Sequence, residues 1–134
     1  MKGAATATIA LIDDRGYPRA STISSIKTEG ISRAWFSTGL RSGKVKCLKN
    51  NNRASLCYHD GSNNITLTGT IEILTDPLIK REMWLDWFIN HFPGGIDDPN
   101  YCILRFTAER AVLWVDSIDR EIELEELTVG GAGQ

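Results

Sequence analysis

Nowhere in this chain do roughly twenty apolar residues follow one another, so the sequence predicts no membrane-spanning helix. Charge of one sign is not in excess either. Fifteen lysines and arginines stand against 17 aspartates and glutamates, for a net charge of −2. That balance gives no general attraction to nucleic acid or to an acidic membrane, and neither is expected as a partner. Only three cysteines are present, Cys47, Cys57 and Cys102, and no two are spaced Cys-x-x-Cys. An odd set within apolar segments reads as small buried thiols in a cytoplasmic protein, not as a disulfide framework or a metal site. Two histidines, His59 and His91, lie far apart and read as structural. Asp97 and Asp98 have no further ligand at metal spacing, so they read as caps or solvated carboxylates, and no metal is expected. The Walker spacing and the Gly-x-Ser-x-Gly elbow are both missing, which removes the P-loop and α/β-hydrolase signatures.

What remains is an ordinary globular balance: 134 residues, 42% hydrophobic and 24% charged. It predicts one domain over residues 1–127, with 128–134, which include Gly130-Gly131-Ala132-Gly133, as a flexible tail. The first ten residues are small and mildly apolar but form no signal-peptide core. Alternation and turn residues place strands at 5–13, 19–27 and 31–37, with turns at Asp13–Pro18 and Lys27–Gly30. Val45 and Leu48 opposite lysines predict a short helix from Ser42 to Asn51. A strand follows at 53–59. Ile65, Leu67, Gly69, Ile71 and Ile73 then alternate with polar residues in the clearest strand of the chain, where Gly69 marks a bulge or a close backbone approach. Asp76-Pro77 starts a helix carrying Ile79, Met83, Trp84, Trp87 and Phe88 to about residue 91. Phe92–Asn100 is a loop, two strands follow at 101–107 and 111–115, and an acidic segment runs from Asp119 to Glu126. Seven or so strands with two helices predict a mainly β fold of the α+β kind, an antiparallel barrel or sheet.

The stretch with most chemistry is Trp35-Phe36-Ser37-Thr38-Gly39-Leu40-Arg41-Ser42-Gly43-Lys44. It predicts a strand end, a glycine-bearing loop and a helix start. Free N–H groups and the helix dipole favour an anion there, with hydroxyls at Ser37, Thr38 and Ser42 and cations at Arg41 and Lys44. A phosphate monoester suits these donors. The same residues equally describe a plain strand–loop–helix with Ser42 as N-cap.

In their order along the chain, several motifs resemble the pyridoxamine 5′-phosphate oxidase-like family of flavin-binding split barrels, and its general-stress-protein branch in particular. They are Ile12-Asp13-Asp14-Arg15-Gly16-Tyr17-Pro18-Arg19, Trp35–Gly39, Ser42-Gly43-Lys44, Thr68-Gly69-Thr70-Ile71-Glu72, Phe92–Tyr101 and Arg105–Ala111 running into Trp114. The resemblance implies a six-stranded Greek-key split barrel with two or more flanking helices. It also implies a homodimer with FMN in a cleft at the subunit interface. Ser37, Thr38, Ser42, Gly43 and Lys44 would surround the flavin phosphate. Ser21, Thr22 and Ile23 would run along the ring, Asn64 would stand where the oxidases place a glutamine, and Trp114 would come from the partner subunit. Three departures stand out. Ser21 replaces a basic residue, Ile26 replaces a lysine, and Val115-Asp116-Ser117-Ile118 replaces the motif that grips pyridoxamine phosphate, so vitamin B6 oxidation is not expected. The helix that usually precedes the first strand is also missing, an expectation of either exposed barrel surface or a chain that begins inside a longer one. The implied function is an FMN-dependent oxidoreductase of unassigned substrate, with no catalytic side chain evident. Its alternatives are a deazaflavin in place of FMN, a non-catalytic flavin or tetrapyrrole carrier, and a stress-related interaction module without a cofactor.

Overall fold

The computed structural model describes residues 6–124; the glycine-rich tail of 128–134 lies outside them. β1 (Thr6–Ile12) and β2 (Pro18–Ser24) form the first hairpin. Asp13 builds its turn, accepting the N–H groups of Arg15 and Tyr17 at 2.9 Å each, while Gly16 takes the left-handed φ of 82° that the reversal needs. β3 (Lys27–Glu29) pairs with β4 (Arg33–Gly39), and α1 (Gly43–Asn50) leads into β5 (Arg53–Asp60) and β6 (Asn63–Leu74). After α2 (Pro77–Glu82) come β7 (Tyr101–Val115) and β8 (Ile118–Glu123). The strands join in the order β2-β1-β5-β6-β7-β4-β3, with β8 beyond β4 on the same flank of β7. This antiparallel sheet curls into a half-barrel, the split-barrel form. Its strand count is eight where the resemblance implies six, because β3 and β8 are short additions.

Strand alternation fills the barrel. Ile9 and Leu11, Phe36, Leu56, Leu67 and Ile71, and Leu104 and Phe106 point inward and are almost wholly buried, and Val45 and Leu48 of α1 join them. The helix is therefore held to the barrel by one apolar face, with its lysines outside. Gly69 sits where β6 and β7 change register. Thr68 pairs with Arg110 but Gly69 pairs with Ala108, so Glu109 bulges out of β7. A side chain at 69 would collide with the Thr107 carbonyl oxygen. Both sequence readings of this glycine, bulge and close approach, hold.

The two strands expected at 101–107 and 111–115 are one. Ala108-Glu109-Arg110 is a bulge inside a fifteen-residue strand, not a turn. Lys27–Glu29, expected as a turn, is the edge strand β3. The acidic segment supplies β8, joined to β7 through Asp116 and Ser117 at φ 53° and 63°, a two-residue reversal matched to strand twist.

A second correction concerns the aromatic stripe. The spacing predicts one helix to about residue 91, but α2 stops at Glu82, Leu85 is extended, and a 3-10 turn covers Asp86–Asn90. Trp84, Phe88 and Phe92 all pack on the ring of Tyr101, at 5.2, 5.9 and 5.1 Å between centroids. The extended Leu85 interrupts the helix, and the 3-10 turn then lays Phe88 against the same ring. The result is a second apolar cluster of Trp35, Phe88, Phe92, Tyr101 and Ile103 on the outside of the barrel wall. The Tyr101 hydroxyl donates to the Lys80 carbonyl at 2.7 Å, and burial pushes its pKa up to about 12. Of the three aromatics expected to offer an interface, Phe88 is thus fully covered within the chain and Trp84 partly so. Trp87 stays 52% exposed.

Candidate functional site

β4 ends at Gly39, and Leu40-Arg41 carry the chain to α1. Ser42 caps the helix, accepting the Val45 N–H at 3.3 Å, and the Thr38 hydroxyl reaches the Ser42 hydroxyl at 3.3 Å. The loop is clamped from outside by Asn100. Its backbone carbonyl accepts the Leu40 N–H at 2.7 Å and its side-chain Oδ1 accepts the Arg41 N–H at 3.0 Å. Gly39 has no room for a side chain, since a Cβ there would stand 2.7 Å from Asn100 Nδ2. Asn100 is fixed in turn by Asp98, which accepts the N–H groups of Asn100 and Gly94 at 2.9 Å each. Those two bonds, Asn100 first, hold the Asp98 carboxyl below its ordinary pKa. Asp98 therefore acts as the cap the sequence predicts. Among the described residues no cluster of three metal-ligating side chains exists.

Between β2 and the start of α1 lies a pocket of about 210 Å³, lined by Leu11, Arg19, Ser21, Ser42, Gly43 and Lys44 among others. Ser21 and Arg19 are opposite Ile9 and Leu11 in the β1–β2 ladder, so they share the concave face. The Arg19 guanidinium lies against the helix start, where a Cβ at Gly43 would be 3.8 Å from Nη1. No carboxylate lines the pocket, and among the described residues neither Arg19 nor Lys44 forms an ion pair. Two uncompensated cations thus face the positive end of α1. Such a place suits a compact anion of high charge. Sequence reading named Ser21 as the missing basic residue and passed over Arg19. The signal was available: two residues along a strand is the same face.

The other expected residues divide. Ser37 and Thr38 line a separate outer cleft beside Trp87 and meet the inner pocket only through Ser42. Thr22 alternates to the far face of β2, while Ile23 packs on the barrel core and Ile26 on the outer cluster. Asn64 and Trp114 are directly paired across β6 and β7, and Trp114 is 40% exposed. Neither lines the pocket between β2 and α1. Cys102 is buried beneath the loop with its thiol 3.4 Å from the Thr38 carbonyl, and burial pushes its pKa up to about 11. That thiol is a packing group, as expected.

A search of curated proteins finds no match. Solved structures do match. A protein from Clostridium acetobutylicum, described as related to general stress protein 26 and of the pyridoxinephosphate oxidase family, is 31% identical. It superposes with a TM-score of 0.80 over 91% of this chain and 87% of its own. A heme binding protein from Mycobacterium smegmatis is 18% identical with a TM-score of 0.69, over 92% of this chain and 54% of its own. A pyridoxamine 5′-phosphate oxidase-related, FMN binding protein from Nostoc punctiforme is 14% identical with a TM-score of 0.67, over 90% and 74%. The last two likenesses speak to the fold alone. The family model described as pyridoxamine 5′-phosphate oxidase like matches residues 1–127. With that match, the 31% identity and the split barrel, the chain belongs to the pyridoxamine 5′-phosphate oxidase-like family.

Proposed function

We propose that this protein binds FMN with the phosphate in the pocket between β2 and α1, and that it is a flavin-dependent oxidoreductase of unassigned substrate. The observation that carries the reading is the pair of unpaired cations, Arg19 and Lys44, set around a helix start with no carboxylate among them. The Gly43 and Lys44 amides, the Ser42 hydroxyl and the two cations would hold the phosphate, with Thr38 keeping the Ser42 hydroxyl in place. Ser21 would lie beside it. When bound, the flavin supplies hydride or electron transfer, which needs no acid or base from the protein. The same contacts would hold the phosphate of a deazaflavin.

Membership of the pyridoxamine 5′-phosphate oxidase-like family supports the choice of ligand. Trp114 and Asn64 stand on the barrel's outer surface and do not line the pocket; in a homodimer they would reach the flavin of the other subunit.

The test is a visible absorption spectrum after adding FMN and removing the excess, with sedimentation of the same sample. Flavin bands retained at about one per chain, on a dimer, are expected. A colourless protein would reject the flavin, and a coloured monomer would reject the shared cleft.

A further inference from the structure

The outer cleft is a different kind of place from the phosphate pocket. It encloses about 510 Å³ between the end of β4 and the aromatic turn, and shares only Ser42 with the inner pocket. One wall is the half-exposed indole of Trp87, held upright by edge contacts to Phe88 at 4.7 Å and His91 at 5.7 Å. Phe92 closes the apolar side. Arg41 and Ser37 also line the cleft. Arg41 is anchored through its backbone N–H and Nε to Asn100 Oδ1, at 3.0 and 3.4 Å, which fixes its direction while leaving the terminal nitrogens outside those bonds. Among the described residues it has no ion-pair partner. The Asp98 carboxylate, which lies within its field, is taken up by the N–H groups of Gly94 and Asn100.

A flat half-exposed indole and an unpaired guanidinium lining one cleft together select for a flat ring bearing a negative group. The ring stacks on the indole, and the acid takes Arg41 in a two-pronged contact. An aliphatic acid would lose the first interaction, and a neutral ring the second. We infer that the outer cleft is a second ligand site, for a small aromatic carboxylate, with Trp87 as its platform and Arg41 as its anion clamp. This site stands whether or not the inner pocket holds a flavin.

The probe is 2-naphthoate, followed through the four tryptophan indole N–H signals in a ¹⁵N-correlated NMR spectrum. The expected result is a saturable shift of one indole, identified as Trp87 by its disappearance in Trp87→Leu. Arg41→Gln should weaken binding about tenfold, the loss of one charge-assisted contact. Naphthalene-2-methanol, the uncharged analogue, should bind as weakly to the parent protein as 2-naphthoate does to the variant. Both substituted side chains are exposed, so the fold should survive, and the remaining indole signals check this. Lys44→Ala, which alters only the inner pocket, should leave naphthoate affinity unchanged. No shift at millimolar naphthoate would overturn the site. A shift that is unaffected by Arg41→Gln, or is abolished by Lys44→Ala, would overturn it too, by placing the ligand elsewhere. The flavin reading is decided separately by colour, so the two can fail independently.

Discussion

Replacing Arg19 and Lys44 together by alanine is expected to abolish FMN retention, with each single change giving an intermediate loss. Each charge-assisted contact is worth about 1.5–3 kcal/mol, so one substitution costs roughly tenfold to a hundredfold in affinity and the pair at least about a hundredfold. Both side chains line the pocket, Arg19 exposed and Lys44 half-buried, and among the described residues neither forms an ion pair. Thermal stability without flavin should therefore stay where it is. Equilibrium titration of flavin fluorescence against the four proteins reads the affinities, and the unfolding midpoint checks the fold. If Arg19→Ala binds FMN like the parent while Lys44→Ala does not, the pocket holds its anion with one cation. The strand β2 cation would then have no counterpart in this chain.

The second large effect falls on stability. Gly69→Ala is expected to lower it by about 1–3 kcal/mol, the usual cost of forcing atoms into a filled interior, or roughly 5–10 °C in the unfolding midpoint. The cause is steric, not conformational. A new Cβ would drive into the Thr107 carbonyl and crowd Ala108 Cα at 2.9 Å. It would push β6 and β7 apart at the bulge, where they form the longest ladder of the sheet. Gly61→Ala supplies a contrast. Gly61 has open space around it but a φ of +61°, so a loss there would come from backbone strain alone and should be smaller, about 1 kcal/mol. Equal losses at the two positions would argue against the crowding at the bulge.

Much of this was legible in the chain because local chemistry and tertiary packing agree. Strand alternation from Ile65 to Ile73 survives intact because that side of β6 faces the barrel core. Ser42 and Asp76 cap the helices they precede, since an N-cap needs only its own next turn. Where the reading failed, a distant residue decided. The helical spacing of Ile79, Met83, Trp84, Trp87 and Phe88 holds only to Glu82, because the chain turns at Leu85 to lay Trp84 and Phe88 on Tyr101, a residue far along the sequence. Glu109-Arg110 carries turn-like polarity, but β6 on one side, and β4 and β8 on the other, run it through as a bulge.

The site divides in the same way. The loop from Ser37 to Lys44 is local, and its helix start was visible. That Ser37 and Thr38 line a different cleft from Lys44 depends on where the aromatic turn of Trp87, His91 and Phe92 packs against the end of β4, which no local pattern carries. Arg19 escapes a reading by resemblance because the family's basic residue corresponds to Ser21. The physical question is which cation shares that face, and a strand answers it two residues away.

The central claim is that the pocket between β2 and α1 recognises a phosphate monoester on a flavin. It is tested most directly by titrating the protein with FMN and with riboflavin, which differ only in that phosphate. FMN should bind at least about a hundredfold more tightly than riboflavin, and replacing Arg19 and Lys44 together by alanine should bring the two close together. Equal affinity for both, or preference for riboflavin, would contradict the account and leave the two cations without the ligand assigned to them.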